Sequence, residues 1–146
     1  MKRALLAIAI VALTLPELAR YAGERRLRLV EATLTAIATH AKDPAPLLRR
    51  LSGDAEATRT YPGDWRPLVA AGRSSFLAGD YAQSAALFER ANSLGERPEI
   101  DINLGLALLK LGEADRAETL FARASALSPK LAPEIVELRK RYTSSR

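Results

Sequence analysis

"ALFERANSL", residues 86–94, returns thirty-three residues later as "TLFARASAL", residues 119–127. The same offset, with no gap, pairs Gly72 with Gly105 and Gly79 with Gly112. It also pairs Leu87-Phe88 with Leu120-Phe121, Arg90-Ala91 with Arg123-Ala124, and Leu94 with Leu127. A period of this size is the mark of helical hairpins stacked side by side, each covering a face its neighbour leaves bare. Two units follow: "WRPLVAAGRSSFLAGDYAQSAALFERANSLGERP" over residues 65–98 and "PEIDINLGLALLKLGEADRAETLFARASALSP" over residues 98–129.

Each matched position has a mechanical reading. Gly72 and Gly105 fall inside the first helix of their hairpins, where Gly costs about 1 kcal/mol relative to Ala. Close approach of the paired helix, which a side chain would block, offsets that cost. Gly79 and Gly112 end those first helices at the position where a left-handed backbone is needed. Asp80 is expected to cap the helix that follows. Phe88 and Phe121 belong on the buried face of the second helices, with Ala91 and Ala124 three residues on, and Pro129 closes the second unit.

These positions resemble the tetratricopeptide repeat family. The second unit is the fuller match, with "NLG" (Asn103–Gly105), Gly112, Ala117, Phe121, Ala124 and Pro129. The first keeps Gly72, "GDY" (Gly79–Tyr81), Phe88 and Ala91, and departs at Ser84, Glu96 and Ser75. The resemblance implies an all-α fold: antiparallel helical hairpins stacked as a short superhelical array, closed by a C-terminal capping helix. The segment "APEIVELRKRY" supplies that cap over residues 131–142, with Ile135, Leu138 and Tyr142 at helical spacing.

Two hairpins seldom close a core alone, because about three are needed. Residues 23–64 are therefore expected to pack on the array as a degenerate repeat. Leu27, Val30, Leu34, Ile37 and Ala41 form one stripe, and Leu47, Leu48 and Leu51 follow the break at "KDPAP", residues 42–46. Residues 1–22 read as a signal peptide or an N-terminal membrane anchor, an N-terminal hydrophobic helix in either case. Lys2 and Arg3 precede twelve uncharged residues, Ala4–Leu15, and twelve residues of helix span about 18 Å of a ~30 Å hydrocarbon core. No good small-x-small cleavage site follows. The location expected is an inner-membrane anchor facing the periplasm, or the periplasm after cleavage. Arg20, Arg25, Arg26 and Arg28 on the far flank leave a cytoplasmic-facing anchor open.

Composition narrows the chemistry. The 146 residues include no cysteine and one histidine, His40, so thiolate metal sites, cysteine nucleophiles and histidine-based triads are excluded. The net charge of +5 divides as +3 over residues 1–64 and +2 over residues 65–146. That spread gives no concentrated basic face and argues against nucleic acid. No phosphate loop, nucleophile motif or paired catalytic carboxylate occurs, so no catalytic residue, metal, cofactor or small-molecule substrate is expected. Glu96, Glu99 and Asp101 cluster at a helix start, where acids favour the helix N-terminus.

The resemblance implies a groove for a protein or peptide partner, lined by the first helices of the hairpins. The groove positions carry over as Val69, Arg73, Phe76 and Leu77 from the first unit, with Ala70 beside them. From the second they are Ile102, Asn103, Leu106 and Lys110, with Leu109 beside them. The competing reading is that Ile102 and Leu106 pack on the flanking helix while Arg73 and Lys110 are solvated. Pro133 and Glu137 stand where chaperone-binding members carry a basic pair, so a chaperone clamp is not expected. The function implied is a non-catalytic adaptor or scaffold, in assembly of a bacterial envelope complex. A constitutive subunit of a larger membrane complex is the alternative, and an enzyme's accessory subunit comes behind both.

Overall fold

The computed structural model describes residues 21–37, 39, 43–56 and 63–143. Residues 21–37 are helical (α1). They are followed by α2 (Ala45–Glu56), α3 (Arg66–Leu77), α4 (Tyr81–Asn92), α5 (Pro98–Leu111), α6 (Ala114–Leu127), a 3-10 turn (Pro129–Leu131) and α7 (Ala132–Thr143). Among the described residues there is no strand. From α2 to α6 each helix packs on the next, and α7 lies against α5 and α6. The fold is the all-α stack of helical hairpins that the repeat implies, with α3–α4 and α5–α6 as its two matched units.

The apolar run Ala4–Leu15 lies outside the described residues, as do His40 and Ala41. Among those described, no helix is long and apolar enough to cross a membrane.

A single core runs through the stack. Phe88, Phe121, Leu68, Leu87, Ile100 and Leu108 are among its largest fully buried apolar side chains. Leu27, Val30 and Leu34 of α1 join them, with Leu48, Leu51 and Ala55 of α2. Leu47 does not. It is half exposed, because one residue before Leu48 is about 100° around the helix from the stripe that Leu48, Leu51 and Ala55 make.

The two in-helix glycines sit against aromatic rings. A β-carbon at Gly72 would lie 2.7 Å from Cε1 of Phe88, and one at Gly105 would lie 2.6 Å from Cε1 of Phe121. Close approach is therefore the reason for both glycines. Ser84, at a small-residue position of α4, serves the same approach: its hydroxyl donates to the carbonyl of Gly72 at 2.9 Å. A third glycine gives a control. Gly53 lies within α2 with nothing within 4 Å of where its β-carbon would stand. Gly53→Ala should raise the unfolding free energy by about 0.5–1 kcal/mol, since only backbone entropy is at stake. A thermal melt that moves down would contradict it.

The hairpin turns are built alike. Gly79 has φ +84° and Gly112 φ +85°. At the first turn the Gly79 N–H donates to the Phe76 carbonyl and the Asp80 N–H to the Ser75 carbonyl, at 3.0 and 2.9 Å. At the second, Gly112 and Glu113 donate to Leu109 and Leu108 at 3.1 and 2.9 Å. This paired bonding satisfies the last carbonyls of α3 and α5. It also corrects the expectation for Asp80, whose side chain makes no capping bond. With φ −87° and ψ 66°, Asp80 lacks the extended backbone that aims a cap at the helix start. Its carboxylate instead accepts from Nε of Arg49 on α2 at 2.8 Å, an exposed pair of small energetic weight.

Between α2 and α3 the seam carries buried polar groups. Ser52 donates to the Ala71 carbonyl at 3.0 Å and stands 2.8 Å from the hydroxyl of Ser75. Ser74 donates to the Leu48 carbonyl at 2.6 Å. Three buried hydroxyls with partners allow two helices to meet closely without an unsatisfied polar group.

Candidate functional site

The first helices of the hairpins, α3 and α5, share one side of the stack with α7. Arg73, Phe76 and Leu77 stand at i, i+3 and i+4 on α3, and Asn103 and Leu106 at i and i+3 on α5, so each set occupies one helix face. These five residues, with Tyr142 of α7, line a hollow of about 170 Å³. Leu106 is buried and forms part of its floor, Phe76 and Asn103 are half-buried, and Arg73 and Leu77 are exposed at its edge.

Aromatic contacts hold the wall in shape. The Phe76 ring meets Tyr81 edge-on at 5.3 Å between centroids and Tyr142 at 5.8 Å. The Lys110 ammonium lies 5.1 Å from the centroid of the Tyr142 ring, within reach of a cation–π attraction. The Asn103 amide donates to the Glu99 carbonyl at 2.7 Å, which fixes its rotamer. The hollow thus offers an apolar floor, an amide and a guanidinium, with an ammonium beside its tyrosine. Such a surface can take up an apolar side chain next to a carboxylate or a backbone carbonyl.

Of the expected groove residues, Arg73, Phe76, Leu77, Asn103 and Leu106 come together. Lys110 is joined to them through Tyr142. Val69 is half-buried against the core, and Ile102, Ala70 and Leu109 are buried in it. None of these four lines the hollow. Tyr142 was not anticipated as a lining residue. Its place in the stripe with Ile135 and Leu138 marks it as part of the cap, and the packing of α7 on α5 brings it to Phe76.

A second polar constellation, outside the hollow, joins α4, α5 and α6. Asp101 is fully buried. Its Oδ2 accepts from Nε of Arg123 at 2.8 Å, and its Oδ1 accepts from Nη2 of Arg123 and, at 3.2 Å, from Nδ2 of Asn92. Arg123 also reaches Glu96 at 3.2 Å. The Asp101 hydrogen bond, aided by the charges of Asp101 and Glu96, holds the Arg123 guanidinium above its ordinary pKa against the opposing effect of burial. Asp101 is therefore not a surface acid favouring a helix start, as its position suggested. It is the buried half of a bidentate ion pair joining α5 to α6. Glu99 remains an exposed first-turn acid of α5. With both carboxylate oxygens engaged, Asp101 is occupied in holding helices together. The sequence did carry a signal for it. At the repeat offset Asp101 matches Leu68, a fully buried apolar residue, so a charge stands in an apolar slot.

Among the described residues no group of three His, Cys, Asp or Glu side chains comes together as a metal site would require.

Compared with known protein families, residues 75–142, from the end of α3 through most of α7, match the family model described as Tetratricopeptide repeat. No curated protein and no solved structure matches the chain.

Proposed function

Residues 75–142 of this chain belong to the tetratricopeptide repeat family, and from that premise we propose that the protein is a non-catalytic adaptor that seats a partner's peptide segment across α3, α5 and α7. The observation carrying this reading is the convergence of three helices on one hollow, with Arg73 and Asn103 above an apolar floor. Its volume of about 170 Å³ suits one or two side chains, whereas pockets for small molecules usually run to about 300–1,000 Å³. The partner segment favoured by this chemistry has an aliphatic or aromatic residue beside an acidic one. Arg73 and Lys110 supply the matching charge, and tetratricopeptide repeats usually bind protein partners.

Selection of the full chain against a library of random dodecapeptides tests this. The expected binders pair Asp or Glu with a large apolar residue. Arg73→Glu together with Leu77→Glu should weaken their binding at least tenfold, since a charge-assisted bond and an apolar contact are each worth about 1–3 kcal/mol. Binders indifferent to that pair of changes would remove the groove from consideration.

The proposal extends to location. Lys2 and Arg3 ahead of the run Ala4–Leu15 support a chain exported and held at the inner membrane, with the array on the periplasmic side, serving assembly of an envelope complex.

A further inference from the structure

Among the described residues α1 is the first helix of the stack, and its two sides differ sharply. Leu27, Val30 and Leu34 face the core. About a half-turn away, at 100° per residue, Arg25, Leu29, Ala32 and Ala36 form an outward line with Tyr21 and Ala22 beside it. All six are exposed, Tyr21 to 58% and Leu29 to 68%. Arg26 and Arg28 flank the line on either side, also exposed. The two acids of α1 stand apart on one shoulder. Glu24 lies 3.8 Å from Arg66 of α3, and Glu31 is seven residues along the same side. The outward face therefore carries three arginines, a tyrosine, a leucine and small residues, and no carboxylate.

We infer that this face of α1 is a docking surface for an anionic phospholipid bilayer. Its pattern suits the boundary between headgroups and acyl chains: Leu29 and the alanines enter shallowly, Tyr21 sits at headgroup level, and the arginines pair with phosphates. Charge complementarity selects the anionic lipid, each arginine near such a surface contributing about fivefold in affinity. Chain length points the same way. Leu15 and Tyr21 are six residues apart, a separation of at most about 22 Å when fully extended. If the apolar run is held in a bilayer, the first turn of α1 stays within about 22 Å of the end of that run. The inference rests on the proposal that the chain is held at a membrane, and it adds that the array lies down on the surface through α1 rather than standing free on a leash.

The native chain has no cysteine, so a single Ala32→Cys change accepts an environment-sensitive fluorophore at one place. Ala126→Cys, exposed on α6, is the control. The labelled full chain is mixed with vesicles of phosphatidylcholine alone or with thirty mol per cent phosphatidylglycerol. The expected result is a blue shift and shielding from an aqueous quencher at position 32, only on the anionic vesicles, with position 126 unchanged. Changing Arg25, Arg26 and Arg28 together to Gln should abolish that response and erase a roughly hundredfold preference for anionic vesicles, three residues at about fivefold each. Binding to both vesicle types with an unresponsive label at position 32 leaves the tether standing and overturns the docking face. Failure to bind either vesicle overturns both readings. A label at position 32 already shielded without vesicles, with the chain sedimenting as a dimer, assigns the face to a second copy and also overturns the inference.

Discussion

Arg123→Met is expected to lower the unfolding free energy by about 3–5 kcal/mol, the penalty for leaving a buried charge without its partner. Asp101 is wholly enclosed, while Arg123 is 35% exposed, so the two halves of the pair are not equivalent. Removing Arg123 strands a carboxylate away from water. Removing Asp101 leaves a guanidinium that still reaches Glu96 and solvent. Asp101→Leu should therefore cost only about 1–2 kcal/mol, mainly for the Asn92 amide that loses its acceptor. The first repeat supports that asymmetry, because Leu68 fills the same slot and Arg90 there turns out to Glu56. Urea unfolding with unchanged m-values measures both. Equal losses for the two variants would mean that the buried carboxylate is not the costly partner.

Gly105→Ala should be destabilising by about 1–3 kcal/mol through overpacking, against the ordinary rule that Ala outranks Gly within a helix. The added methyl would meet Phe121 at 2.6 Å. The ring cannot swing aside, because Phe121 is itself buried in the core. The gain of about 1 kcal/mol from helix propensity is smaller than that clash. Gly53→Ala, in open space, isolates the propensity term and should have the opposite sign. Combining Gly105→Ala with Phe121→Leu should cost less than the two single losses added together, since the smaller side chain makes room. Strict additivity would show that the glycine is there for some reason other than the ring.

What could be read from residue order was whatever both hairpins repeat at one offset. Gly72 with Phe88, and Gly105 with Phe121, are legible because the same pair occurs twice at one offset. The turns at Gly79 and Gly112 are legible because only a left-handed backbone fits there. Arg73, Phe76, Leu77, Asn103 and Leu106 were reached through family resemblance, and the geometry gathers them. Tyr142 escaped because its contact with Phe76 joins α7 to α3 and depends on how α7 packs on α5, which no local pattern encodes. The Asp101–Arg123 pair escaped because it occurs in one hairpin only, Leu68 filling the matching slot of the other. Leu47 was misplaced for a simpler reason: three leucines within five residues cannot all lie on one narrow stripe.

The fit of ring onto glycine has a consequence for how such a chain can change length. Each contact is completed inside its own hairpin, Phe88 on Gly72 and Phe121 on Gly105, so neither depends on what comes before or after. A duplication or loss of thirty-three residues carries a whole contact with it and leaves the others intact. A change of length between Gly72 and Phe88, or between Gly105 and Phe121, would instead carry a ring off its glycine. The spacing within each hairpin is thus fixed by one small complementary pair. The residues that differ between copies, those around the groove and in the Asp101 slot, leave these ring contacts untouched.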